Sequence, residues 1–292
     1  MRKILLLGKN GQVGWELRRC LSPIGDLVAL GRSELDLEDT IAIRSIVNDV
    51  KPDLIVNAAA FTGVDQAEEE PGKARLVNAI APGILAEEAK RLNAFLVHYS
   101  TDYVFDGSKG VPYTEEDKPQ PINVYGKTKL EGEYNIKSAG ASYLILRTCW
   151  VYGMRGKNFL LTMRRLAEEK DEIRVVDDQL GSPTWCRMIA EATVLMLLKI
   201  KYQEENHKGT YHLSAGGQTS WYGFAKAIFD CFFNAEDNYA NLIPIPTSEY
   251  KTAACRPAYS VLSNDKLQND FDISLPNWGH TLPLVIENCK KL

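Results

Sequence analysis

Tyr125 and Lys129 stand four residues apart in the stretch NVYGKTKLEGE, which puts a phenol and an ammonium one turn apart on a single helix face. A tyrosine hydroxyl has an ordinary pKa of about 10, too high for easy proton exchange at neutral pH. A nearby ammonium and a positively charged nicotinamide favour the phenolate and are expected to lower that value. The spacing also arises by chance, with the tyrosine packed and the lysine solvated, so its meaning depends on its company. Upstream, VHYSTDYVFDG begins as an apolar strand and ends in Ser100, Thr101 and Asp102. In an open α/β sheet that strand end faces the ligand crevice. A hydroxyl from Thr101 there can donate to a substrate oxygen that gains negative charge as hydride arrives. Thr101, Tyr125 and Lys129 together form a candidate triad for reducing a carbonyl.

A hydride donor needs its own site, and LLGKNGQVGWEL supplies one. Gly8, Gly11 and Gly14 lie between a first strand and a first helix. Glycines permit a tight turn and close backbone approach, and the helix N-terminus offers N–H groups and a favourable dipole to a pyrophosphate. A structural turn without a ligand is the plain alternative. The second strand of NAD enzymes normally ends near an acid that holds the adenosine ribose. Here VALGRSELDL puts Arg32 and Ser33 at that place, a guanidinium and a hydroxyl suited to a 2′-phosphate. The cofactor expected is therefore NADPH, with NADH as the alternative; a solvated surface cation is the competing reading of Arg32. Asp36 and Leu37 follow, within reach of the adenine.

The elements that must position these groups follow from hydrophobic period. KILLLG, DLVAL, PDLIVNAAA, AFLVHYS and SYLILRTCWVYG read as buried strands. Between them come helices with apolar residues at helical spacing, including one predicted as continuous from Gly72 to Asn93. Strand and helix in alternation predict an α/β fold, a Rossmann-like doubly wound parallel sheet with right-handed crossovers. After Gly153 the rhythm loosens, with further helices, the polar stretch KYQEENHKG, a strand TYHLS and a proline-richer tail. Two units are expected: a nucleotide-binding domain over 1–153, and a smaller C-terminal substrate-binding lobe over 154–292 that returns some elements to the first.

Composition sets the outer limits. The 292 residues are 45% hydrophobic and 25% charged with a net charge of −4, which is ordinary for a globular protein and gives no reason to expect nucleic-acid binding. MIAEATVLMLLKI is too short and interrupted to span a membrane. The start, MRKILLLGKNG, runs into a glycine turn where a signal peptide would need a longer apolar core. The six cysteines lack C-x-x-C spacing and the four histidines form no ligand cluster, so reduced thiols, no metal site and a cytoplasmic setting are expected.

The motifs GKNGQVGWEL, PDLIVNAAAFTGVDQAE, VHYSTDYVFDG, NVYGKTKLEGE, RTCWVYG, DDQLGSPT and ACRPAYSVLS span the chain. In that order they resemble the extended short-chain dehydrogenase/reductases and, within them, the dTDP-4-dehydrorhamnose reductase family. The resemblance implies reduction of a dTDP-linked 4-keto-6-deoxy sugar; the sequence leaves the oligomeric state open, a homodimer being one candidate assembly. It implies that Gly11, Gln12 and Val13 lie against the pyrophosphate, with Ala60, Phe61, Thr62 and Tyr99 also lining the cofactor. Tyr125 would be the proton donor, Lys129 its partner and ribose ligand, and Thr101 the third hydroxyl. Thr101, Asp102 and Trp150 would meet the sugar, and Arg256 the nucleotide diphosphate, whose geometry suits a guanidinium; a core aromatic is the other reading of Trp150. Some relatives hold magnesium through carboxylates on two helices. Glu16 occupies the first place, but WCRMIAEA brings Arg187 near the second, and a cation does not ligate magnesium. Magnesium dependence stays open and Glu16 is expected to be a surface charge. Two other classes remain: a binding subunit of the methionine adenosyltransferase regulatory type, and an epimerase or dehydratase of the same superfamily.

Overall fold

The computed structural model describes residues 2–200, 208–233 and 239–290; most of the polar stretch, 201–207, lies outside them. The first half runs β1 (Lys3–Leu7), α1 (Gln12–Leu21), β2 (Asp26–Leu30), α2 (Thr40–Val50), β3 (Leu54–Asn57), α3 (Val64–Glu69) and α4 (Pro71–Arg75). It continues with α5 (Ala81–Leu92), β4 (Phe95–Thr101), α6 (Val124–Ala139) and β5 (Ser142–Thr148). The second half has β6 (Val151–Tyr152), α7 (Phe159–Glu169), β7 (Glu172–Val176), β8 (Leu180–Gly181), β9 (Thr184–Trp185), α8 (Cys186–Lys199) and β10 (Gly209–His212). It ends with β11 (Thr219–Ser220), α9 (Trp221–Phe232), β12 (Asn241–Ile245), α10 (Asp265–Phe271) and α11 (Trp278–Lys290).

Six strands form one parallel sheet in the order β10-β5-β4-β3-β1-β2. Parallel strands covered on both faces need apolar residues throughout, and β3 and β4 are buried along their whole length. Leu17, Ile189, Met196 and Phe271 close one face; Ile43, Val47, Leu85 and Ile136 close the other. The sixth strand comes from the second half, so that half is woven into the sheet while Phe224, Ile228, Leu160 and Val285 build a separate core. The order reverses between β1 and β3, and the crevice beyond their C-terminal ends is where such sheets take ligands.

Two expected elements are interrupted. The helix expected over Gly72–Asn93 is α4, a π-type turn over Leu76–Ile80, then α5. Pro82 has no N–H for the carbonyl of Asn78, which releases the helical ladder there. SYLILRTCWVYG is not one strand either. Trp150 adopts φ +44°, a conformation costly for a bulky residue, and turns the chain out of the sheet so that β6 pairs with β9.

Candidate active site

A cavity of about 500 Å³ opens at the reversal of strand order. Gly8, Gly11, Gln12 and Val13 form its floor. Gly8 has φ +84°, and a Cβ there would stand 2.7 Å from the Ala59 nitrogen, so a side chain would block the turn. Gly11 caps α1 without any side-chain bond, which leaves the helix N-terminus facing the cavity with its backbone donors. A pyrophosphate fits this cradle. Gly14 does not reach the cavity: its Cβ would meet the Gly8 oxygen at 2.0 Å, so its role is close packing of helix on turn.

Arg32, Asp36 and Leu37 line one end of the cavity. Arg32 spends its charge on Glu38 at 2.7 Å and Asp36 at 3.5 Å. Ser33 is not brought in, because its hydroxyl donates to Glu34 at 3.1 Å. Ala60, Phe61 and Thr62 line the middle, and Tyr99, Tyr125 and Lys129 the inner end. Asn78, freed by the π-type turn, holds Phe61 through both backbone groups and donates to Thr128 of α6. The Tyr99 hydroxyl turns away to Thr193 of α8 at 2.8 Å.

Lys73 and Lys157 also line the cavity, and motif spacing did not single them out. Lys73 reaches Glu38 at 3.7 Å. The segment carrying Lys157 is anchored by Asn158, whose amide donates to Gln12 Oε1 at 2.9 Å and to the Gly153 carbonyl at 2.8 Å. The visible signal was only the basic, glycine-containing GMRGKN after a strand end.

Helix α6 starts at Asn123, whose side chain accepts from the Gly126 N–H and donates to the Cys255 carbonyl at 2.8 Å. Two glycines let it seat tightly. A Cβ at Gly126 would stand 2.1 Å from the Tyr103 carbonyl oxygen, and one at Gly132 would stand 2.1 Å from that of Asn78. So seated, the Tyr125 hydroxyl bonds the Thr101 side chain. Its pKa is not lowered as expected. Burial pushes it up to about 12, with the Asp102 charge adding to the rise and Thr101 opposing it. Lys129 does not offset this, because its Nζ is directed at the Tyr99 carbonyl, 2.5 Å away, and at His98 Nε2, 3.2 Å away, rather than at the phenol. Lys129 is itself brought down to about 8 by burial, against the pull of Glu133.

Asp102 is 2% exposed, accepts from Thr101 at 3.0 Å through Oδ1, and makes no good hydrogen bond through Oδ2. Burial pushes its carboxyl up to about 7. Trp150 stacks on Trp221 at 3.5 Å and covers Gly181, so it is half-buried, and neither tryptophan lines the cavity. Arg256 pairs with Asp65 at 2.6 Å and also bonds Tyr103, whose ring meets Tyr125 edge-on at 5.8 Å. Glu16 is buried, not a surface charge: Arg19 and Arg187 both pair with it.

A parallel sheet that opens on a glycine cradle and brings a tyrosine and a lysine to the inner end of the same cavity is a Rossmann-like, nucleotide-binding arrangement. The model of the RmlD substrate binding domain family matches residues 1–291, and the chain belongs to that family. It is 47% identical over 98% of both chains to dTDP-4-dehydrorhamnose reductase of Burkholderia thailandensis, and 44% identical over 94% of both to that of Salmonella typhimurium. The crystal structure of dTDP-4-dehydrorhamnose reductase from Bacillus anthracis in complex with NADP superposes with a TM-score of 0.88 at 36% identity, covering 98% of this chain and 99% of that one.

Proposed function

We propose that this chain reduces dTDP-4-dehydrorhamnose, a dTDP-linked 4-keto-6-deoxy sugar, to dTDP-L-rhamnose, with NADPH or NADH as hydride donor. The observation that carries the reading is the placement of Tyr125 and Lys129 at the inner end of the cavity that begins at the glycine cradle. The reduced nicotinamide supplies hydride to the C4 carbon. Tyr125, kept protonated by burial, passes its proton to the C4 oxygen, and Thr101 donates a hydrogen bond to that oxygen as charge develops. Lys129 holds the nicotinamide ribose. Asp102 and Trp150 face the sugar, and Arg256 exchanges its bond with Asp65 for the diphosphate. Arg32 and Lys73 supply positive charge for a 2′-phosphate. The reading places the reaction in the cytoplasm, on a homodimer.

The test mixes the protein with dTDP-4-keto-6-deoxy-L-mannose and follows NADPH and NADH oxidation separately. Tyr125→Phe is expected to lower kcat by about 10²- to 10⁴-fold with cofactor affinity nearly unchanged. No oxidation of either cofactor by the unaltered protein overturns the reading. So does a purified protein carrying stoichiometric NAD, which would indicate an epimerase.

A further inference from the structure

Behind Lys129 lies a row of buried polar groups that the reaction as proposed does not use. Asn57 and His98 are direct neighbours across β3 and β4, and both are fully buried. Their hydrogens can be ordered from the partners available. The Ala59 N–H donates to Asn57 Oδ1 at 3.2 Å, which fixes the amide and turns its Nδ2 toward His98 Nδ1 at 3.1 Å. His98 Nδ1 must then accept. A neutral imidazole carries one hydrogen, so it sits on Nε2, which faces Lys129 Nζ at 3.2 Å. An ammonium has three donors and no lone pair, so it cannot answer an N–H; an uncharged amine can. The same amine donates to the Tyr99 carbonyl.

We propose that Asn57 and His98 are positioning residues that set the charge of Lys129 through the direction of this hydrogen-bond chain. A neutral Lys129 fits the order as it stands. A charged Lys129 requires its reversal: the histidine hydrogen moves to Nδ1, Asn57 rotates to accept it, and the Ala59 N–H, on the cavity wall, loses its acceptor. Few other charges face Lys129. Glu133 lies one turn along α6 but is held by Arg147 of β5, Asp102 lies at the end of β4 and acts on Tyr125, and β3 contributes only the neutral Asn57. Burial also keeps His98 uncharged, well below its ordinary pKa.

The consequence for turnover rests on the proposed role of Lys129, so the test reads the chain and the reaction separately. In ligand-free protein labelled with ¹⁵N at histidine, the His98 resonances, assigned by their loss in His98→Gln, are expected to show hydrogen on Nε2 at high pH. They should move toward the Nδ1 form as pH falls through the titration of Lys129. Asn57→Asp offers only acceptors to Nδ1 and thereby favours the charged lysine. In this variant, and in His98→Gln, whose carbonyl can accept from the ammonium, the alkaline limb of kcat should move up by about one pH unit. A packing role alone would lower stability without moving the limb. An Nδ1 hydrogen on His98 at every pH, or a pH-independent resonance, overturns the proposal. A tautomer that responds while the limb stays fixed in both variants supports the hydrogen-bond order and counts against Lys129 in turnover.

Discussion

Helix α6 buries two charged residues one turn apart, and their surroundings differ. Glu133 meets Arg147 through two parallel bonds of 2.9 and 2.7 Å and accepts a third from Ser100 at 2.6 Å. Burial alone would raise its pKa, but these partners outweigh that and hold it below the ordinary carboxylate value. Lys129, equally buried, has a carbonyl and a neutral imidazole. One site is saturated and has a fixed charge. The other has a charge that costs free energy to keep and can change near neutral pH. The contrast separates the part of the buried polar network that holds β5 to α6 from the part that is available for proton chemistry.

Breaking the saturated side should have the largest effect on stability. Glu133→Gln leaves the Arg147 guanidinium buried without a counter-charge, and urea denaturation should show a loss of about 3–5 kcal/mol. A loss under about 1 kcal/mol would erase the distinction.

Asp102 belongs with Lys129 as a buried charge without an opposite partner. Its pKa is raised by folding from 3.8 to about 7, so the folded state binds the proton more tightly. Its penalty is absent below about pH 4, grows as pH rises, and is complete above about pH 7. Asp102→Asn should therefore stabilise the ligand-free protein at pH 8 by something on the order of a few kcal/mol, and hardly at pH 4. Thermal melts across that range check the sign.

Lys129→Met should stabilise the ligand-free fold by about 1–3 kcal/mol while turnover falls. Folding lowers this pKa from 10.5 to about 8, so the penalty is full below about pH 8 and vanishes above about pH 10.5. A variant less stable than the parent at pH 7 would show that the lysine is held by more than the neutral groups seen around it. The smallest effect is expected at the surface: Arg165→Ala removes an exposed pair with Glu169 and should change stability by less than about 0.5 kcal/mol.

Much of this was legible before the structure. The glycine turn, the strand ends and the tyrosine-lysine helix depend on local chemistry and on hydrophobic period, and both are written in adjacent residues. The direction of the Tyr125 pKa was not legible, because it is set by how deeply folding buries the phenol, while Lys129 is taken up by other partners. Lys73 and Lys157 also escaped notice, since each reaches the cavity from an element distant in sequence. The break at Asn78 could have been read from Pro82, which denies a carbonyl its donor. The partner of Arg256 could not, because Asp65 meets it only after the two halves have closed on each other.

The two contacts that seat α6 act mechanically as a pair of bearings. Gly126 rests on the Tyr103 carbonyl and Gly132 on that of Asn78, six residues apart, or about 9 Å along the axis. Backbone on backbone leaves no soft side chain to absorb an error. Lifting the helix at Gly132 would pivot it about Gly126. Tyr125, beside the pivot, would barely move, whereas Lys129, midway along the lever, would travel about half the displacement. Gly132 touches neither group, yet it keeps the two aligned with each other.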